Sequence, residues 1–447
     1  MNVDYVIAEI GSTTTLVTAV NAADDTRIIA QGKSCTTVSS GDVTIGLKNA
    51  ISDIESQIGE SISWGKMLAT SSAAGGLKIT VHGLMEDMTV KAAKEAALGA
   101  GGNIKMITAG RIRNSDLKKI KEINPNLIII AGGTDYGERD TSLYNAEKIH
   151  DARLGIPVVY CGNVENQQEI MEIFNNEELY IVDNVYPKID ELNVEPTRKV
   201  IQTAFEKNII KASGMNKIKK MVNGPIMPTP GAVMESAKLL YNILGDILVI
   251  DVGGATTDVH SVTEGSSRIL DILISPEPKA KRTVEGDIGI YVNSENIINQ
   301  LDSSELNGLT KEEIRKNIKP IPRDNYEIKS SLILTKKAVD IAVNRHVGRI
   351  KRLYGGEKEF VAYGKDLSQV KNIVGTGGAL TRLPHGEAIL ENIKYLNEDI
   401  TMYPGKEASV FLDTMYIMAC AGVLSRENKT AALNLLKLSL KKFGIKT

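Results

Sequence analysis

Residues 6–20 read VIAEIGSTTTLVTAV, and residues 249–262 read VIDVGGATTDVHSV. Laid over one another, Glu9 falls on Asp251, Gly11 on Gly253, Thr14 on Thr256 and Thr15 on Thr257. Each stretch is an apolar strand, a carboxylate, a turn of glycine and small residues, and a second strand. Small residues between two apolar runs predict a tight hairpin. Two copies in one chain predict two lobes built on one plan.

A turn rich in Gly and Thr aims several backbone N–H groups at one point. Glycine lets that backbone approach an anion without a Cβ in the way. A carboxylate just before the turn repels a phosphate, yet it can hold Mg²⁺ through water, and the metal neutralises the phosphate. Two such turns facing each other would clasp a triphosphate from both sides. A third stretch, NIVGTGGALTRLP at 372–384, reads as a strand, a Gly-rich turn and a helix start. Its backbone could lie flat against an adenine or ribose, and a helix N-terminus favours a diphosphate. Each motif alone is a weak signal. The set, with its acids aligned, predicts nucleotide binding.

The rest of the chain narrows the reading. Its 447 residues suggest roughly three domains. A net charge of −2 argues against nucleic acid or an anionic membrane as a general partner. Five Phe and one Trp are too few for a base-stacking surface. No apolar run approaches the ~20 residues that span a bilayer, and the first residues lack the basic and apolar regions of a signal peptide. Cys35, Cys161 and Cys420 are scattered, with no C-x-x-C and no zinc spacing. They read as buried thiols in a reducing cytoplasm.

Along the chain, 43–58 has helical periodicity and KMLAT (66–70) is a short strand running into the breaker SSAAGG. From about 77 to 185 the rhythm becomes five strands with four helices between them: KITVHGL, IKMITAG, LIIIAGG, PVVYCGN and ELYIVDNV are the strands. Apolar runs alternating with helices predict a parallel, doubly wound sheet inserted into another fold. NGPIMPTPG (223–231) reads as a hinge before a helix. A long amphipathic helix is predicted over 332–353, with Leu334, Ala338, Ile341, Val347 and Ile350 on its apolar face. An apolar helix near 410–424 and a basic helix, NLLKLSLKKFG, close the chain. The predicted units are residues 1–75 (first lobe), 76–200 (insert) and 201–447 (linker and second lobe).

The three turns together resemble the ATPase superfamily of actin, sugar kinases and the Hsp70 chaperones. IAEIGSTTT is similar to its first phosphate motif, IDVGGATTD to its second and VGTGGAL to its adenosine motif. LATSSAAGGLK, NLIIIAGGTDYG, NVEPTR and VGTGGALTRLP carry a narrower resemblance, over nearly the full chain, to the MutL or GlmL accessory ATPases encoded beside glutamate mutase. That family is unrelated to the mismatch-repair protein of the same name. The resemblance implies a two-lobed actin-like (ribonuclease H-like) α/β fold carrying the insert. It also implies a cytoplasmic, ATP-hydrolysing reactivating chaperone. Its client would be an adenosylcobalamin-dependent mutase (glutamate mutase or an aminomutase) whose large subunit it would pry open to release damaged cobalamin. The oligomeric state is not legible.

Carried over residue by residue, the resemblance gives Gly11, Ser12, Thr13 and Thr14 to the first phosphate turn. Gly253, Gly254, Thr256 and Thr257 go to the second, and Gly375, Gly377, Gly378 and Ala379 to the adenosine turn. ATP or ADP with Mg²⁺ is the implied ligand. Asp251 is assigned to Mg²⁺-bound water and to orienting the attacking water. Glu9 stands where the superfamily usually has Asp, and it shares the catalytic and metal assignment. Asp258 either faces the metal or caps its strand, and Thr15 is a β-branched residue at a strand start. The insert resembles a flavodoxin-like cobalamin domain but lacks D-x-H-x-x-G: His82 has no Asp two residues before it and no Gly three after. It reads as a buried histidine, and the insert as a mimic of a mutase subunit.

Other functions on this fold stay open. A small-molecule kinase would need an acceptor site and a base between the lobes. An activator of 2-hydroxyacyl-CoA dehydratases would need closely placed cysteines for an iron–sulfur cluster. An actin-like filament protein would have to accommodate the insert in its packing.

Overall fold

The computed structural model describes residues 1–22, 26–37, 41–72, 76–175, 178–209, 214–353, 359–396 and 400–443. Three sheets organise it. The first is built from β1 (Asn2–Ile10), β2 (Thr14–Asn21), β3 (Arg27–Cys35) and β4 (Ser63–Ser71). The chain then leaves to form a second sheet from β5 (Lys78–Gly83), β6 (Asn103–Ala109), β7 (Leu127–Ile130), β8 (Val158–Tyr160) and β9 (Leu179–Ile181). It returns to add β10 (Ile226–Pro228) to the first sheet. A third sheet follows from β11 (Ile247–Val252), β12 (Thr257–Val262) and β13 (Ala280–Glu285). After a two-stranded ribbon, β14 (Arg349–Arg352) with β15 (Phe360–Tyr363), β16 (Asn372–Thr376), β17 (Ser409–Asp413) and β18 (Leu440–Phe443) complete it.

The first and third sheets share one plan. Their orders are β3-β2-β1-β4-β10 and β13-β12-β11-β16-β17, with β18 added at the edge of the latter. In both, the first three strands are an antiparallel meander and the next two run parallel to the leading strand. The registers match: Glu9 lies opposite Thr70, and Asp251 opposite Thr376. The protein is thus a two-lobed α/β fold of the actin type. Central strands covered on both faces need unbroken apolar runs, and ILVIDV supplies one in β11.

The lobes meet through two helices. Thr229–Leu244 follows β10, and Met418–Leu424 follows β17. Gly422 allows the crossing, because a methyl there would lie 1.8 Å from the Ala232 carbonyl oxygen. The second sheet is all parallel, in the order β6-β5-β7-β8-β9. Counted within the insert this is 2-1-3-4-5, one of the two common doubly wound orders. Ile79 and Val81 of β5, with Ala96 of the helix Lys91–Gly99, join one continuous core with Val6, Ile10 and Met67 of the first lobe. No described helix is long and apolar enough to cross a membrane.

Several elements differ from the sequence reading. NGPIMPTPG is no free hinge: it holds β10 and the start of the helix, whose first turn accepts Pro230. The long helix spans Asn325–His346, because Asp324 caps Tyr326 and Glu327 at its start. Val347 and Ile350 lie beyond it; Gly348 sits where a methyl would be 2.2 Å from Met402 Cε, and the chain turns into β14. The stretch 410–424 is a strand and then a helix. NLLKLSLKKFG finishes the helix Lys429–Ser439 and then becomes β18, paired to β17. Cys161 and Cys420 are buried, but Cys35 is exposed at the end of β3. Of the breaker SSAAGG, residues 73–75 lie outside the described residues.

Candidate nucleotide site

The two hairpins have the same backbone bond. Gly11 N–H donates to Thr14 O at 3.0 Å, and Gly253 N–H donates to Thr256 O at 2.9 Å. Ile10 pairs with Thr15 and Val252 with Thr257, so each turn holds four residues. Among the described residues the amides of Ser12, Thr13, Gly254 and Ala255 donate to no other group of the chain. Both turns open into one cleft of about 650 Å³ between the lobes. From the first hairpin Glu9, Gly11, Ser12, Thr13 and Thr14 line it. From the second come Asp251, Gly253, Gly254, Thr256 and Asp258. Gly378 and Ala379 of the third turn complete the wall.

Three of the expected residues do not line the cleft. Thr257 is fully buried and donates its hydroxyl to Ile288 O at 2.8 Å, fixing the turn that follows β13. Gly375 is packed by Leu380, Leu390 and Leu412 within β16. Gly377, with φ +86°, lies behind the wall, where a methyl would fall 2.5 Å from Asp251 Oδ1. It lets the third turn rest on the acid-bearing strand. Thr15 is a strand residue whose hydroxyl meets that of Thr36 at 2.9 Å.

The electrostatics are unusual. Glu9 is 7% exposed and accepts a hydrogen bond from the Tyr416 hydroxyl at 3.0 Å. Burial raises its carboxyl to about 7; the Tyr416 bond opposes this, and the charge of Asp413 adds to it. Asp251 accepts no hydrogen bond among the described residues. Burial pushes its carboxyl well above the usual range, and the nearby carboxylates Asp258, Glu9 and Asp413 push the same way against Arg282. Asp413 is fully buried and satisfied by Thr376 Oγ1, the amides of Ile417 and Met418, and the Ser439 hydroxyl. Asp258 Oδ1 takes both the Nε and Nη2 hydrogens of Arg282, at 2.9 and 2.6 Å. Four acids therefore converge where one guanidinium answers them. Oxygen-only donors at such a site suit Mg²⁺. Among the described residues no group of three or more His, Cys, Asp or Glu forms a ready metal cage. A cation here would complete its shell with water and phosphate oxygens.

Residues that the sequence did not single out finish the site. Tyr416 reaches across the cleft floor from a left-handed backbone, φ +52°. The segment Lys319–Pro320–Ile321–Pro322, Arg382 and Leu383 line the cleft as well. Pro320 and Pro322 sit in a polar stretch whose sequence carries no signal of a cleft wall. His82 is fully buried, its ring nitrogens held by Thr108 at 2.7 Å and Thr80 at 3.0 Å. Burial lowers it to about 4, so it is a neutral core histidine.

A family model described as MutL protein matches residues 5–440. Protein MutL of Clostridium tetanomorphum is 35% identical over 98% of this chain and 99% of its own. The chain belongs to the MutL family. Among solved structures, a nucleotide-free acetone carboxylase covers 95% of this MutL-family chain and 70% of its own length, at 12% identity and a TM-score of 0.40. A glycerol dehydratase reactivase covers 95% and 100%, at 11% identity and a TM-score of 0.32. Likenesses this distant assign no activity.

Proposed function

We propose that this MutL-family protein binds Mg²⁺-ATP in the cleft, hydrolyses it, and uses the cycle to open an adenosylcobalamin-dependent mutase so that damaged cobalamin leaves. The observation that carries the nucleotide reading is the pair of like hairpins facing one cleft beneath an under-neutralised set of carboxylates. The amides of Ser12, Thr13, Gly254 and Ala255 and the hydroxyls of Ser12, Thr13 and Thr14 would hold the phosphate oxygens, while the Thr256 hydroxyl already donates to Asp258 Oδ2 at 3.4 Å. Gly378, Ala379 and the Lys319–Pro322 segment would flank the nucleoside. Mg²⁺, when bound, supplies positive charge to the transferring phosphoryl group. Glu9 and Asp251 would orient its water shell, and Asp251, the acid without a hydrogen bond among the described residues, would also orient the attacking water. Asp258 is already engaged by Arg282, so its share in the metal would fall to Oδ2.

The mutase client, glutamate mutase or an aminomutase, rests on membership of the family and on what the sequence resemblance implies. A dehydratase-activator reading has less support: Cys35, Cys161 and Cys420 are free and far apart in sequence, and none belongs to a metal-holding group among the described residues. Steady-state ATPase tests the proposal, with and without cobalamin-inactivated mutase, for wild type and Asp251→Ala. Stimulation by the inactivated mutase in wild type only is expected. ATP consumption that is stimulated by a small metabolite, phosphorylates it, and is untouched by mutase would make the protein a kinase instead.

A further inference from the structure

The carboxyl edge of the insert's sheet has features that the nucleotide site does not use. Its loops follow β5, β7, β8 and β9, which lie side by side. Each loop raises one large apolar side chain into solvent: Met85 at 52% exposure, Tyr136 at 80%, Val164 at 39% and Ile189 at 71%. The loops after β7, β8 and β9 are bound to each other. Val164 N–H donates to Asp135 Oδ1 at 2.9 Å, Tyr136 N–H to Asn163 Oδ1 at 3.3 Å, and Asp135 N–H to Pro187 O at 2.9 Å. Beneath them buried Asn184 donates to Gly133 O and to Asp135 Oδ1. Tyr136 and Asp190 sit in the left-handed region, at φ +62° and +63°. Non-glycine residues hold that conformation only where the surroundings enforce it. The apolar tips are therefore displayed on a braced frame, which lowers the ordering cost of docking.

Charge tells what docks. Glu86, Asp87, Glu165, Asp183 and Asp190 are exposed on these loops with no cationic partner among the described residues. The two cations on the same loops are already paired, Arg139 with Glu169 at 3.0 Å and Lys188 with Glu191 at 3.3 Å. Arg111 and Arg113 follow β6, at the margin of the edge beside the β5 loop, and Arg111 lies over the Tyr144 ring; five unpaired acids against these two leave the edge acidic. An acidic edge of this kind repels its own copy and attracts a basic face.

We infer that this edge is a protein-docking surface that takes a partner face with apolar pockets inside a basic rim, Tyr136 and Ile189 being its anchors. The identity of the partner rests on the preceding reading, in which that face belongs to the mutase large subunit. Deleting the insert would expose the core it shares with the first lobe, so point variants are the proper probe. Tyr136→Asn keeps a residue that tolerates the left-handed backbone, and Ile189→Ser alters only a loop tip.

The test is binding of purified glutamate mutase and aminomutase large subunits to full-length wild type, to the Tyr136→Asn/Ile189→Ser pair and to Glu86→Lys/Asp87→Lys. Basal ATPase and self-association are measured alongside. The first pair is expected to weaken binding by about 30-fold or more, as loss of anchor residues does. The charge-reversed pair is expected to slow association and flatten its salt dependence, with basal ATPase unchanged in both. Wild type and both variants binding a large subunit equally would overturn the surface while leaving the mutase reading intact. Wild type binding neither subunit while still hydrolysing ATP would overturn the mutase reading and this choice of partner together. Self-association lost in the variants would assign the edge to a second copy and overturn the inference.

Discussion

The hairpins at 9–16 and 251–258 share backbone, register and turn length, yet their side chains divide the work. In the first, the acid is tethered by the Tyr416 hydroxyl, and Leu16 stands opposite it. In the second, Asp251 accepts no hydrogen bond from the described chain, and Asp258 stands opposite it, clamped by Arg282. The second turn is also braced: Gly253 O and Gly254 O accept the amides of Ile290 and Tyr291, and Asn293 donates to Ala255 O at 2.7 Å. The two turns repeat one backbone plan. Their side chains leave one acid held by Tyr416 and the other without a hydrogen bond among the described residues. The free acid should be the reactive one.

The largest effect therefore belongs to Asp251. Asp251→Ala should lower ATP turnover by about a thousandfold, in the range found when a positioned acid–base group is removed, while ADP binding measured by calorimetry changes only a few-fold. Glu9→Gln should cost one or two orders of magnitude less. Equal losses in the two variants would erase the functional distinction between the hairpins.

Next comes the clamp that only the second hairpin has. Arg282 also donates to Leu98 O at 3.0 Å and Gly102 O at 3.3 Å, so one guanidinium ties the hairpin to the insert. Arg282→Met would leave Asp258 buried without its partner, at a cost of about 3–5 kcal/mol. The double variant Asp258→Leu/Arg282→Met copies Leu16 of the first hairpin and should recover most of that loss, short of the two orphaned carbonyls. Thermal unfolding of the three proteins checks this. A single variant as stable as wild type would mean that the clamp holds nothing.

How far the sequence carried these points depends on the distance over which each is encoded. The strands, the turns and the alignment of Glu9 with Asp251 follow from local pattern, as does the five-strand rhythm of the insert. Membership of the family was legible because several motifs recur in order. Tyr416, Asp413 and Arg282 were not legible. They reach the site through strand order, from about 270 to 410 residues away from Glu9. β18 and β10 were missed for a related reason: a lysine-bearing edge strand and a three-residue strand beside a proline lack the periodicity that marks their longer neighbours.

The pH response should separate the acids from the rest of the fold. Glu9 is raised from its ordinary 4.5 to about 7, chiefly by burial. Between those values the folded chain keeps a proton that the unfolded chain has released. Stability of the metal- and nucleotide-free protein should therefore fall as pH rises through that window, by up to about 3 kcal/mol from Glu9, and Asp251 acts in the same direction. Glu9→Gln should flatten the decline in melting temperature between pH 5 and 7. His82 works oppositely, since burial lowers it to about 4, and its contribution is lost as pH falls from about 6.5 toward that value. A variant with the full wild-type decline would show that Glu9 is not the group responsible.

The smallest effect tests the turns themselves. A methyl added at Gly11 would lie 2.7 Å from Thr14 O, inside any contact that a real Cβ makes, whereas at Gly253 it would lie 3.1 Å from Thr256 O. The obstructing atom is in both cases the carbonyl that closes the turn, so relief requires the hairpin to open. Gly11→Ala should cost about 1–3 kcal/mol of stability, the range for forced overpacking. Gly253→Ala should cost less in the fold, because a shift of a few tenths of an ångström suffices. In nucleotide affinity the order should reverse. The braced second turn cannot adjust around Ala255 O and residues 290–293, while among the described residues the first has only Thr36 N–H holding Thr13 O at 2.9 Å. Melting temperatures and fluorescent-ATP titrations of the two variants give both orders at once. If Gly11→Ala is worse in both measurements, the bracing of the second turn has no functional weight, and the two hairpins differ only in their acids.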